Sequence, residues 1–259
     1  MELNPFLSTD IQDLIQKLGD RNTKARLDAA NALARKGNEA LDEVTKLLNH
    51  DDYTFRRIAA YVLGKIGNPD SVEILVEALG DDNSDVRKSA AQALNRIGKP
   101  AIPLLIRALG NISKDVRASA VWSLSKMGSM VVDPLIEALA SEVKDVRASA
   151  VWALSKVGTP SIAPLVQLID NDEKNVRESA IWGLAKIGTP AIEKLAEHWN
   201  VRIGEDAREG ESETDSVDIS DLIAGGENAI KQWIKFMIDN RHKPEGLEST
   251  PESEVPKEE

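Results

Sequence analysis

Residues 115–128 read DVRASAVWSLSKMG, and thirty residues later residues 145–158 read DVRASAVWALSKVG. The arginine of this motif recurs six times, in steps of 30 or 31 residues, as Arg26, Arg56, Arg87, Arg117, Arg147 and Arg177. In all six copies alanine stands three positions after the arginine, leucine seven and glycine eleven. A fixed period of this length is typical of repeat architectures, so the sequence predicts six structural repeats.

Each repeat predicts a helical hairpin. Val116, Ala120, Leu124 and Met127 form one apolar stripe at helical spacing, and the glycine that follows is suited to end the helix. A second set of regularly spaced apolar residues predicts another helix before each of these: Leu14, Val44, Leu75, Leu105, Leu135, Leu165 and Leu195, then Leu18, Leu48, Leu79, Leu109, Leu139 and Ile169. A single hairpin cannot bury its apolar faces, so neighbouring hairpins must stack. Lys36 replaces an apolar residue of the other repeats, and we expect it on the outer face of the first one.

The predicted fold is all-α, a right-handed α-solenoid of six helical hairpins followed by a C-terminal amphipathic helix and a disordered tail. The predicted domains are the solenoid at 9–203, an acidic flexible linker at 204–217, a short helical segment at 218–242 and the tail at 243–259. Residues 204–259 hold 16 Asp and Glu against 6 Lys and Arg, so almost all of the net charge of −11 lies outside the repeats.

The predicted C-terminal helix has an apolar stripe made of Ala229, Ile230, Trp233, Ile234, Met237 and Ile238. Three roles are open to it. It could close the last apolar face of the solenoid, its residues 226–241 could dock in a groove of the same or another chain, or it could be offered to a separate partner.

The motif that begins at Asp115, Asp145 and Asn175 and closes in Leu-x-Lys-x-Gly resembles HEAT-like repeats of the short prokaryotic type, as in the phycobilisome lyase HEAT-like repeats. The resemblance covers about residues 10–200 and implies the solenoid fold. That family includes scaffolds, bilin-lyase subunits, an iron-dependent hydroxylase and DNA glycosylases, so the resemblance does not choose among functions. Its hydroxylase branch needs repeated His-Glu ligand pairs, which this sequence lacks.

The column five residues after each arginine contains the candidate binding residues. It reads Asn31, Tyr61, Gln92, Trp122, Trp152 and Trp182, and helical geometry turns it away from the apolar stripe. We expect the second helices to line the concave surface, so that Tyr61, Gln92 and the three tryptophans form a row, with Ser125 and Ser155 as small neighbours. The alternative is that the indoles pack sideways on the next repeat.

Basic residues flank this row. The predicted site includes Lys126, Lys156 and Lys186, one turn before each glycine, although cations at that position also offset the helix dipole. For the arginine column we expect a ladder of ion pairs with Asp85, Asp115 and Asp145 in adjacent turns.

The composition restricts the function. Without cysteine there are no disulfides or thiolate sites, which is typical of a reducing cytoplasm, and no apolar stretch reaches membrane-spanning length. Three isolated histidines give no metal pattern, and a near-neutral body argues against nucleic acid. We therefore expect no cofactor, no metal and no catalytic residue, and a cytoplasmic scaffold that binds a protein or peptide. The alternative is a bilin-lyase-like or chaperone-like subunit that handles a small aromatic cofactor.

Overall fold

The structure is a computed structural model that describes residues 10–199, 202–203, 216–217 and 219–241. It divides into two units at residues 187 and 188. The predicted acidic linker falls largely on residues 204–215 and the predicted tail on residues 243–259, and both lie outside the described residues.

The first unit contains the six predicted hairpins, and the all-α fold is confirmed. The first helices are α1 Ile11–Lys17, α3 Leu41–Lys46, α5 Val72–Glu77, α7 Ile102–Ala108, α9 Val132–Ala138 and α11 Ile162–Val166. The second helices are α2 Thr23–Lys36, α4 Tyr53–Ile66, α6 Ser84–Ile97, α8 Lys114–Lys126, α10 Lys144–Val157 and α12 Lys174–Ile187. Short 3-10 turns extend the first helices at Gly37–Ala40, Leu47–Asn49, Pro69–Ser71, Ala78–Gly80, Lys99–Ala101, Gly128–Val131 and Thr159–Ser161.

The hairpins stack in two layers. Each second helix packs on the second helices before and after it, from α2 to α12, and α5, α7, α9 and α11 pack in the same order in the other layer. The leucine column of the second helices is completely buried between the layers, as are Leu75, Leu105 and Leu135 of the first helices. The predicted apolar columns are therefore the core of the repeat.

The repeated glycines end the second helices as predicted. All six have positive φ, from 59° at Gly37 to 83° at Gly188. A side chain at such a φ clashes with the backbone, which explains why glycine occupies the position in every copy.

The arginine column ties each second helix to the loop before it. We number the hairpins 1 to 6 along the chain, so that hairpin 4 consists of α7 and α8. In hairpin 4, Arg117 Nη1 donates to the carbonyl oxygens of Asn111 and Ile112, at 2.6 and 3.0 Å. In each of the other five repeats, Nη1 of the arginine donates to the two equivalent carbonyl oxygens, five and six residues earlier in its own loop. These arginines are Arg26, Arg56, Arg87, Arg147 and Arg177. The spacing of the motif thus places a guanidinium against two carbonyl oxygens of the preceding loop in every repeat.

The predicted ladder of ion pairs is only part of this arrangement. Arg117 does approach Asp145 of the next hairpin, at 3.8 Å. Arg56, by contrast, binds Asp81 and Asp82 in the next loop, at 2.7 and 2.6 Å, rather than the predicted Asp85. The bonds to loop carbonyls are the feature that all six arginines share.

The second unit contains α13, Thr189–Trp199, and α14, Ile219–Arg241, which is interrupted at Gly226 by a non-helical φ of 62°. Arg202–Ile203 (β1) and Ser216–Val217 (β2) form a two-residue parallel pair. The two helices contact one another, and Trp199 meets Trp233 edge to face at 5.6 Å between ring centres.

Candidate functional site

The continuous layer of second helices carries every residue of the predicted site. Trp122 and Trp152 leave 38% and 45% of their surface exposed, whereas Tyr61 and Trp182 are half-buried and Gln92 is exposed. Equivalent positions on packed neighbours repeat at the helix spacing of ~8–10 Å, so the indoles of Trp122, Trp152 and Trp182 form a row across three hairpins. We call these three residues the tryptophan row.

Cations from the predicted lysine column lie against these rings. Lys186 Nζ is 3.8 Å from the ring centre of Trp152 in the preceding hairpin and 5.2 Å from that of Trp182 in its own. Lys126 Nζ lies 5.9 Å from the ring of Trp122. A cation at such a distance is attracted by the negative face of the ring, so Lys186 joins two hairpins.

The same contact recurs at Tyr61. Lys65 and Arg96 lie over its ring, at 5.5 and 5.3 Å from the centre. The Tyr61 hydroxyl donates to Asn31 Oδ1 at 3.3 Å, and Lys65 Nζ donates to the same oxygen at 3.0 Å. At this end of the aromatic column the ring therefore has hydrogen-bonding partners within the protein as well as cations.

The two predicted serines bond to their own helix. Ser125 Oγ donates to the carbonyl oxygen of Trp122 at 2.7 Å, and Ser155 Oγ donates to that of Trp152 at 2.9 Å. Their hydroxyl protons are therefore engaged, and the serines can offer a ligand only an acceptor oxygen. Lys156, the remaining predicted cation, is exposed.

A cleft between α6 and α8, which the sequence did not predict, opens beside the tryptophan row. Its volume is about 320 Å³, and the indole of Trp122 lines it. Arg87 and Lys88 on α6 form the basic wall, and Asp115 and Ala118 on α8 form the opposite wall. A cleft in the equivalent place between α2 and α4 is smaller, about 180 Å³, and is lined by Tyr61.

An acidic row runs parallel to the tryptophan row. Asp85, Asp115 and Asp145 occupy the first turns of α6, α8 and α10, and all three are exposed. From the sequence these aspartates were expected only as partners of the arginines. The column could have been found from its spacing, since each aspartate stands seven residues before the aromatic column.

The apolar stripe of α14 is buried in the second unit. Ile234 and Met237 are completely buried and Trp233 is 8% exposed, in contact with Trp199. The indole Nε1 of Trp233 has no hydrogen-bond partner among the described residues. Within this unit the helix contacts α13.

Within the described ranges no three His, Asp or Glu side chains converge into a metal-binding group. In the same ranges no helix combines the length and apolar character needed to cross a membrane.

Comparison with known proteins identifies the family. The profile of the family described as HEAT repeats matches residues 11–95, 81–155 and 132–211, which together cover well over half of the sequence. The chain belongs to the HEAT repeat family. The HEAT repeats indicate a scaffold or protein-interaction role.

The curated relatives match only part of the HEAT repeats. An uncharacterized phycocyanin operon protein Z of Pseudanabaena tenuis is 32% identical over 88 residues, 34% of this chain and 44% of that protein. A phycocyanobilin lyase subunit alpha of Picosynechococcus is 42% identical over 76 residues, 29% of this chain and 27% of that protein. The chain thus spans less than half the length of these relatives. Enzyme subunits therefore occur among proteins similar to this one.

A solved structure of an archaeal HEAT-like repeats protein from Thermococcus onnurineus is 18% identical, with a TM-score of 0.41. The match covers 87% of this chain and 98% of that chain.

Proposed function

We propose that this HEAT repeat protein is an interaction module that binds a peptide or protein segment along the tryptophan row. The observation that carries the proposal is the exposure of Trp122 and Trp152 at equivalent positions of adjacent, otherwise well-packed hairpins. Large exposed apolar side chains lower solubility, and tryptophan is enriched among residues that dominate binding energy.

The contacts around the row support a surface that is held ready for a partner. Lys186 fixes the ring of Trp152 from one side, which reduces the rotamer freedom that binding would otherwise remove. Ala118, a small residue, lines the cleft beside Trp122, and that indole keeps 38% of its surface exposed. The half of the column that contains Tyr61 is less suited to this role, because its polar atoms are already paired.

Site-specific photo-crosslinking tests the proposal. A photoreactive amino acid at position 118 or 148 faces the tryptophan row, and the control position is Asp133, exposed on first helix α9. We expect proteins or peptides that crosslink from 118 and 148 but not from 133, and that are lost when Trp122 and Trp152 are both replaced by alanine.

The control for the double substitution is Ile112→Ala with Met130→Ala, two large apolar side chains that are exposed outside the second helices. Equal crosslinking from position 133, or the same loss in the control variant, would contradict the proposal. Circular dichroism of both variants shows whether helicity is retained.

A second candidate function is the handling of a small aromatic cofactor, as the lyase-like relatives suggest. The supporting observation is the identity of 42% with the phycocyanobilin lyase subunit, which covers less than a third of either protein. Visible absorbance of the purified protein separates the two candidates. A copurifying pigment that is lost on Trp122→Ala and Trp152→Ala would favour the cofactor, and its absence together with a crosslinked protein favours the interaction module.

For the C-terminal helix, we propose that α14 covers α13 rather than occupying the tryptophan row. The contact of Trp233 with Trp199 supports this role. Truncation after Ile203 tests it, because removing a cover destabilises α13 without changing partner affinity. A gain in partner affinity on truncation would instead favour docking of residues 226–241 on the row.

A further inference from the structure

Three parallel rows of side chains cross the second helices of hairpins 4 and 5. Counted along each helix, an aspartate comes first, the tryptophan follows seven residues later and the lysine four residues after that. At ~1.5 Å per residue the acidic row lies about 10 Å on one side of the tryptophan row, and the basic row lies about 6 Å on the other.

The charges in both outer rows are accessible. Asp115 and Asp145 are exposed on one side, and Lys126 and Lys156 are exposed on the other. Asp145 is 61% exposed even though Arg117 lies 3.8 Å away. The three rows therefore present an apolar centre between a negative edge and a positive edge, in the same order on each hairpin.

We infer that the partner is an amphipathic helix lying across the repeats, with basic residues along the edge that faces the acidic row and acidic residues along the edge that faces the lysines. The inference rests on the proposed function and specifies the partner's chemistry. In this orientation each edge of the partner helix faces charges of the opposite sign, which favours binding. In the reversed orientation each edge would face charges of its own sign, which disfavours binding.

The width of the surface favours a helix over an extended peptide. The outer rows are separated by eleven residues, about 16 Å along the helix axis. A partner helix is ~10–12 Å across with its side chains, so its two edges can reach both rows. A single extended strand is much narrower, since strands pack only ~4.7–4.9 Å apart.

The repeat spacing also matches a helix. Adjacent second helices lie ~8–10 Å apart, and seven residues of a partner helix rise ~10.5 Å. One apolar anchor in every seven residues would therefore meet one tryptophan per hairpin. The cleft of about 320 Å³ beside Trp122 can take the first of these anchors, between Ala118 and Lys88.

Two synthetic 21-residue peptides labelled with fluorescein test the inference by fluorescence anisotropy. Both carry leucine anchors spaced by seven, the same numbers of Glu and Lys and the same helicity, measured by circular dichroism. In one peptide Glu and Lys occupy opposite edges, and in the other they alternate on both edges. We expect the segregated peptide to bind at least about tenfold more tightly, a difference of ~1.4 kcal/mol.

Protein variants test whether the acidic row causes the preference for the segregated peptide. Asp115→Lys combined with Asp145→Lys should abolish the preference for the segregated peptide, whereas Asp133→Lys on α9 makes the same kind of charge change away from the rows and should preserve it. Equal affinity for the two peptides, or binding of neither, would overturn the inference. If the two peptides bind equally and binding is lost on Trp152→Ala, the proposed function stands, because the tryptophan row then binds peptides without distinguishing their charge patterns.

Discussion

The Nζ atom of Lys186 lies 3.8 Å from the centre of the Trp152 ring, although the two side chains belong to different hairpins. The contact joins the basic column of hairpin 6 to the aromatic column of hairpin 5. A lysine at this position could instead serve only the C-terminal end of its own helix, as the sequence allowed. The two explanations differ in what they predict for Lys156, which has the same position in hairpin 5 and is exposed.

Replacing Lys186 by alanine should lower the free energy of unfolding by ~0.5–1 kcal/mol, because the cation–π contact is lost. Lys156→Ala should change it by less than ~0.5 kcal/mol, as for most surface substitutions. Urea unfolding followed by circular dichroism measures both. If the helix dipole were the whole explanation, the two lysines would have equal effects.

The tryptophan row should contribute little to stability. Trp152 is 45% exposed, whereas Leu154, two residues later on the same helix, is completely buried. Leu154→Ala should therefore cost ~2–5 kcal/mol, by creating a cavity in the core. Trp152→Ala should cost only about 1 kcal/mol, near the average for point substitutions. A loss for Trp152→Ala as large as that for Leu154→Ala would show that the indole is a packing residue.

The hairpins could be predicted from the sequence because each repeat shows the same apolar spacing six times. Contacts between repeats could not, since they depend on how closely neighbouring helices approach. A Cβ added to Gly64 would lie 2.5 Å from the Cα of Ala93, so α4 and α6 are in unusually close contact. The cleft beside Trp122 likewise lies between two neighbouring helices, α6 and α8, and no single column of residues reveals it.

The hydrogen-bond partners of the arginines could not be predicted from the sequence either. The period shows that an arginine is required, but a guanidinium can pair with a carboxylate or with loop carbonyls. The prediction of aspartate partners followed from charge alone. The structure shows that the carbonyls lie five and six residues earlier in every repeat, because the loop folds back over the first turn of the helix.

The repeated glycines differ in how strictly they require glycine. Gly67 has φ 73° and ψ 15°, the left-handed helical region that asparagine also enters. Gly98 has φ 77° and ψ −131°, a region that other residues avoid. Gly67→Asn should therefore cost less than ~1 kcal/mol, and Gly98→Asn should cost ~1–3 kcal/mol more. Thermal unfolding of the two variants decides this, and equal melting temperatures would contradict it.

A substitution at the N-cap of α10 should stabilise the protein. Val143 occupies the N-cap position, 54% exposed and without a side-chain acceptor, whereas Asn83 at the N-cap of α6 accepts a bond from the Asp85 N–H at 2.9 Å. Val143→Asp should raise the free energy of unfolding by ~0.5–2 kcal/mol, by supplying the missing acceptor and a favourable charge. The reciprocal control is Asn83→Ala, which should lower it by a similar amount. A lower melting temperature for Val143→Asp would show that the exposed valine contributes to packing.

The ion pair between Arg56 and Asp81 predicts a dependence of stability on pH. Burial opposes ionisation of the Asp81 carboxyl, but hydrogen bonds from the Arg56 guanidinium and the Asn83 amide outweigh it and lower the pKa. A pKa that is lower in the folded state than in the unfolded state gives stability above the ordinary carboxyl value of ~3.9, and this stability is lost as the pH falls through the folded value.

Asp81→Asn cannot ionise, so its melting temperature should lie furthest below that of the wild type near neutral pH. The difference should shrink as the pH falls below the ordinary carboxyl value of ~3.9, because the carboxyl of the unfolded state takes up its proton first. Asp133→Asn, at an exposed position on α9, serves as the control and should follow the wild type throughout. Scanning calorimetry at a series of pH values measures all three proteins. A constant difference between Asp81→Asn and the wild type down to pH ~3 would mean that the charge of Asp81 does not stabilise the contact between α4 and the loop of hairpin 3.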